Sequence, residues 1–211
     1  MPAIDCAVTI LAIETSTSRG SVALLADAAV VLDESFTADR SHSASLFTVL
    51  ERARYLVERI DLVAVGLGPG SYAGVRIAIA AAIGLELGLG VRVVGLPSVA
   101  ALETGEPRYL AIGDARRDTF YFTCVEDGCC TEGPLLFTET ELHARLASRA
   151  DWPVFVPSPL PPVPRAIVAL PLAARLAQLA AEGRSIVAES DLEPIYLREP
   201  HITQPKARPP K

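Results

Sequence analysis

The 211 residues suffice for one large domain or two small lobes, each burying its own core. Half of them are hydrophobic and only 21% are charged, which excludes a disordered or fibrous chain. A net charge of -6 gives no general attraction for phosphate backbones, so direct nucleic-acid binding by this chain alone is not favoured, although a local basic patch stays open.

The opening MPAIDCAVTILAIE lacks a basic n-region and carries Asp5 inside its apolar run, unlike a signal peptide. Val8 to Ile13, Ser21 to Leu25 and Val30 to Phe36 read as three strands joined by short turns, an antiparallel meander. The first turn, Glu14 to Gly20, groups a carboxylate with several hydroxyls. Asp39 to Ser45 is a polar loop, and Ser43 or Ser45 can cap a helix running to about Val57. Leu46, Leu50, Ala53 and Val57 repeat at three and four residues, which predicts one buried face on that helix.

Val63 to Gly95 is the stretch around which the chain is organised. It predicts a strand, a sharp Gly68-Pro69-Gly70-Ser71 turn, a helix from Tyr72 to Leu89, and a second strand over Val91 to Val94, the ordinary link between parallel strands. The helix has about the length of a short membrane span, but Arg76 and Glu86 interrupt it, and a buried helix of a soluble protein is the better reading. Pro97 to Glu103 reads as one short helix. Composition changes near Thr104-Gly105-Glu106-Pro107, which divides the chain into a first lobe of residues 1–104, a second of 105–200 and a mobile tail of 201–211. In the second lobe, Arg108 to Ile112, Thr119 to Val125 and Val154 to Val156 read as strands. Glu139 to Ala147 and Pro164 to Glu182 read as helices.

The GPGS turn can aim backbone N–H groups and a helix N-terminus at an anion, or it can be a structural turn with Ser71 as N-cap. It is neither a P-loop nor GxGxxG nor a nucleophile elbow. Glu14, Thr15 and Ser16 could hold a magnesium-bound phosphate, or could form a polar hairpin turn without a ligand. On the following helix Arg76, Ala80, Gly84 and Gly88 recur every four residues, leaving a shallow ridge of small side chains. Glycine inside a helix costs about 0.5–1 kcal/mol relative to alanine, so another backbone is expected to approach there, from this chain or from another subunit. The four cysteines, Cys6, Cys124, Cys129 and Cys130, contain no CxxC pair and read as reduced thiols of a cytoplasmic protein. No histidine pair has metal-ligand spacing, and no nucleophile–base set can be named.

LAIETSTSRGSVAL at Leu11 to Leu24, His42-Ser43, VAVGLGPGSYAGVRIAIAAAIGLEL at Val63 to Leu87, VGLPSVAAL at Val94 to Leu102, the Asp114-Ala115-Arg116 turn and Pro194-Ile195-Tyr196-Leu197-Arg198 together resemble the bacterial TsaB (YeaZ) family. The resemblance implies an α/β, actin-like and Hsp70-like ATPase-type fold (ASKHA, ribonuclease H-like) in two lobes, the second reduced. It also implies a non-catalytic, cytoplasmic partner of TsaD, the paralogue that transfers a threonylcarbamoyl group to adenosine 37 of tRNAs reading ANN codons. TsaE joins the pair, tRNA is reached only through the complex, and a homodimer can form when TsaD is absent. The family contact through first-lobe helices maps here onto Phe47, Leu50, Arg54, Arg76, Ala80, Ile83, Gly84, Leu87 and Gly88. Leu46 stands where the second histidine of TsaD's HxxxH metal motif would be, which fits a subunit without a metal. ATP with magnesium, at Glu14, Thr15, Ser16, Gly68, Gly70 and Ser71, is not required on this reading. A nucleotide-binding, ATPase-like enzyme of the same fold is the alternative, and the old peptidase label of the superfamily finds no supporting residues.

Overall fold

A computed structural model describes residues 8–37 and 42–198, apart from the side chains of His42 and Ser43. The expectations for the N-terminal segment with Cys6, most of the polar loop, the His42 and Ser43 side chains and the tail of 201–211 lie outside the described residues.

The first three strands form the expected meander, β1 (Ile10–Glu14), β2 (Arg19–Ala26) and β3 (Ala29–Thr37), each antiparallel to the next. After helix α1 (His42–Leu56) the chain adds β4 (Leu62–Gly66) parallel to β1, with Leu11 opposite Val63. Helix α2 (Tyr72–Leu89) then crosses over to β5 (Arg92–Leu96), parallel to β4, and the sheet order is β3-β2-β1-β4-β5. Both faces of this sheet are covered, so its inner strands read as nearly continuous apolar runs. Leu11, Ile13, Val22, Leu24, Val63 and Val65 face the helices α1 and α2 in one core. Ile10, Ala12, Ala23, Leu25 and Ala64 point the other way, into a second core.

That second core is covered from far along the chain. The helix predicted over Pro164 to Glu182 is confined to α4 (Ala173–Ala181), and its buried Leu176, Ala177 and Leu179 pack under the first sheet. Its start is fixed by a tertiary contact: the Ala173 amide donates to Ser21 Oγ on β2 at 2.9 Å, supplying the cap that Leu172 lacks. Pro164 and Pro171 keep the preceding residues out of helix, and Ile167–Val168 pair instead as a short strand. A division of the chain at Thr104 therefore leaves α4, which follows it in sequence, on the first sheet in space.

The second sheet is built from β6 (Arg108–Asp114), β7 (Thr119–Glu126), β8 (Cys129–Thr138), β9 (Val154–Val156) and β10 (Ile167–Val168), in the order β10-β9-β6-β7-β8. Strand β8 is absent from the sequence-based prediction because Gly133-Pro134 interrupts it. The pairing accommodates the break with register shifts around Cys124, and Gly133, at φ 90, backs onto the Phe122 carbonyl, where a Cβ would clash. Helix α3 (Glu139–Ala147) starts in a Thr138/Glu141 capping box and covers one face through Leu142. The other face meets Val99 and Leu102 of the connection after β5, where the predicted Pro97–Glu103 helix is a single 3₁₀ turn, Ser98–Ala101.

Candidate partner-binding face and phosphate turn

Strand β1 ends at Glu14, and the residues after it meet the GPGS turn and the start of α2 in a closed set of hydrogen bonds. Thr15 Oγ1 donates to the Gly74 carbonyl at 2.8 Å, and the Ser71 amide donates to the Ser16 carbonyl at 2.6 Å. The Gly68 amide donates to Ser98 Oγ at 3.0 Å, and the Gly74 amide to the N-cap hydroxyl of Ser71 at 3.2 Å. Gly70 and Gly74 lie so close to the Ser16 and Thr15 carbonyls that a Cβ on either would overlap a backbone oxygen. The Gly68, Ser71 and Gly74 amides are thus turned onto the chain's own oxygens. A cleft of about 890 Å³ opens beside the turn, lined by Ser16, Ser71, Tyr72, Asp114, Arg116 and Tyr196 among others, but Glu14 and Thr15 do not border it.

Glu14 is fully buried, with Oε1 accepting the Ser16 amide at 2.5 Å, while Oε2 lies over Gly66 without a hydrogen-bond partner among the described residues. Burial pushes its carboxyl above the ordinary value of 4.5, against the lowering effect of Ser16, Ser98 and Thr15. The folded chain therefore holds this proton more tightly than the unfolded one. Its contribution to stability is present below pH 4.5 and is lost as pH rises through the folded value. Replacing Glu14 by Gln should remove this loss. Urea denaturation is expected to show Glu14→Gln equal to or more stable than wild type near neutrality, with the difference vanishing towards pH 4.5; a variant less stable at neutral pH would show that the ionised carboxylate is the structural form.

Helix α2 packs on the sheet through Val75, Ala78, Ile79, Ala81 and Ala82, and among the described residues this inner face alone is covered. The expectation of a buried helix holds for one side only. Arg76, Ala80, Ile83, Gly84, Leu87 and Gly88 are exposed, Leu87 to 82%. A Cβ built on Gly84 or Gly88 meets nothing within 4 Å. No approach of another part of the described chain explains these two glycines, so their helix-weakening effect finds no return within it. On the same face of the sheet, α1 presents Phe47 and Tyr55 to solvent, Tyr55 to 83%. Leu50 departs from its predicted place in a contact surface. It is 7% exposed and sits with Leu46, Val49 and Ala53 in the core, because those positions form the inward stripe of α1. Arg54 is exposed but its guanidinium closes the helix end, donating to the Val57 carbonyl at 3.2 Å.

Comparison with known proteins reads this arrangement further. The family model described as TsaD, tRNA N6-adenosine threonylcarbamoyltransferase, matches residues 37–128. The tRNA threonylcarbamoyladenosine biosynthesis protein TsaB of Escherichia coli is 33% identical over 123 residues, 54% of this chain and 53% of that protein. YeaZ from Pseudomonas aeruginosa superposes with a TM-score of 0.71 at 26% identity, over 90% of this chain and all of that one. These similarities support assignment of the chain to the TsaB (YeaZ) family. A second Pseudomonas aeruginosa structure, described as similar to the peptidase YeaZ, gives a TM-score of 0.73 at 29% identity. The architecture shared with these two structures is an α/β fold, here with two five-stranded sheets. The chain spans 53% to 63% of the length of the curated relatives with at least 33% identity to it.

Two aromatic side chains join the site that sequence reasoning did not assign to it. Tyr72 opens the exposed stripe of α2, and the Tyr196 ring lies 5.9 Å from it, centroid to centroid. The signal for Tyr196 was the PIYLR run, quoted for the resemblance but without a position in the fold. The segment carrying it is fastened to both lobes. The Ile195 amide donates to the Leu67 carbonyl at 2.8 Å, and the Arg198 guanidinium donates to Thr119 Oγ1. Among the described residues no group of three His, Cys, Asp or Glu side chains could hold a metal ion.

Proposed function

We propose that this chain is a non-catalytic subunit in the formation of N6-threonylcarbamoyladenosine at position 37 of tRNAs reading ANN codons, docking onto TsaD through the outer face of α2. The observation that carries this reading is the largely apolar stripe with two glycines that no contact among the described residues covers or explains. Helices approach to about 8–10 Å depending on the side chains at the seam, and glycine permits the near end of that range. Contiguous exposed apolar surface of this kind marks a protein contact. In this role TsaE joins the pair, tRNA meets the complex rather than this acidic chain alone, and the chain works in the cytoplasm. Without TsaD the same face is open to a second copy.

The test is co-purification with the TsaD of the same organism, followed by tRNA modification with and without this chain. Full modification by TsaD with TsaE and the adenylate supply, but lacking this chain, would overturn the reading. The rival reading, a nucleotide-binding enzyme, has fewer free amides to use in this turn, since those of Ser71 and Gly68 are engaged by Ser16 and Ser98. Calorimetry of the isolated chain with ATP and magnesium is expected to give no heat of binding at millimolar ligand. A stoichiometric binding isotherm would favour the rival.

A further inference from the structure

The exposed stripe of α2 ends, at its N-terminal side, in a cation held by two phenols. The Arg76 guanidinium donates to Tyr72 Oη at 2.7 Å, reaches Tyr196 Oη at 3.5 Å, and lies over the Tyr72 ring 5.1 Å from its centroid. The side chain is exposed, and among the described residues no carboxylate comes within ion-pair distance of it, whereas Arg52, Arg92, Arg108 and Arg149 each have one. Stacking and hydrogen bonding to tyrosine restrict an arginine that would otherwise be freely mobile, so less entropy is lost when it takes up a further partner. A purely apolar surface pressed onto this stripe would desolvate the guanidinium without compensation, which is costly. The occupant must therefore bring negative charge to one end of an otherwise apolar contact.

Resting on the partner-subunit reading above, we propose that Tyr72 and Tyr196 fix Arg76 as the charged anchor of the docking face, and that the partner helix seated on α2 supplies an Asp or Glu carboxylate to it. The segment Pro194 to Arg198 is then part of the docking surface, although more than a hundred residues of chain separate it from α2. Its position does not depend on a partner: Ile195 packs against the first core, Leu197 against the second sheet, and both flanking hydrogen bonds are internal.

The measurement is the affinity of the full chain for TsaD by calorimetry, at low and at high salt. Wild-type binding is expected to weaken with salt. Arg76→Ala should bind roughly 10- to 100-fold more weakly and lose most of that salt dependence, Arg76→Glu should be weaker still, and Arg76→Lys should restore the salt dependence with part of the affinity. Tyr196→Ala, which releases the guanidinium but keeps its charge, should weaken binding about 3- to 10-fold while retaining the salt dependence. Wild-type affinity in Arg76→Ala, or wild-type binding indifferent to salt, would overturn the anchor. Gly84→Leu separates the two levels: if it too binds normally, the docking face itself is wrong, whereas its failure to bind beside a normal Arg76→Ala removes the anchor alone.

Discussion

Gly84→Leu is expected to abolish pairing with TsaD while making the isolated chain no less stable. The two effects have separate origins. In the free chain a side chain at position 84 points away from the described residues, none of which lies within 4 Å of a Cβ there, and leucine is a better helix former than glycine by somewhat under 1 kcal/mol. Against a partner helix the same side chain fills the shallowest part of the contact and pushes the two backbones apart, taking Ala80 and Gly88 out of reach as well. A loss of at least 100-fold in affinity, about 2.7 kcal/mol, is expected in titrations followed by size exclusion. Gly84→Ala should give the same small gain in stability with a much smaller loss of binding. If Gly84→Leu associates with TsaD as wild type does, α2 is not the docking helix, and the glycines need another explanation.

Which side of α2 faces outward is a fact that its sequence hides. A helix apolar nearly all round carries little amphipathic signal: Ala81 and Ala82 are buried while Ile83 and Leu87 are exposed. The sheet fixes the orientation, because Val75, Ala78 and Ile79 fill the space over Val63 and Val65. The strands of the first sheet were legible because β-branched runs are bounded by Gly, Ser and Asp turns, and the parallel crossover followed from the strand, turn and helix order. Strand β8 was not, because a Gly-Pro pair reads as a breaker and only the pairing with β7 shows it as a bulge. The turn after β1 is hard to read in sequence for a similar reason. Thr15 and Glu14 look like ligand-binding groups beside one another in sequence, but their neighbours are Gly74, Gly66 and Ser98, all more than fifty residues away. Tyr196 belongs to the same class: only the fold brings it to Tyr72.

The three glycines of α2 also separate the two ends of the helix by the sign of one substitution. At an exposed helical position, replacing glycine by alanine gains about 0.5–1 kcal/mol, and Gly88→Ala should do so, because none of the described residues lies within 4 Å of the added methyl. Gly74 obeys the same local rule but sits under the Thr15 carbonyl, at the point where Thr15 Oγ1 also bonds the Gly74 carbonyl. A methyl there overlaps a backbone oxygen that cannot rotate away, so either the first turn of α2 or the turn after β1 must move. With it go the Ser71 to Ser16 hydrogen bond and the packing of Val75. The expected cost is about 2–4 kcal/mol, outweighing the gain in helix propensity, and corresponds to a fall of roughly 5–15 °C in melting temperature for a chain of this size. Thermal denaturation of Gly74→Ala beside Gly88→Ala checks this directly. Equal melting temperatures would mean that the helix start and the β1 turn are not locked together. The turn after β4 would then be free to open, and the nucleotide reading would regain its ground.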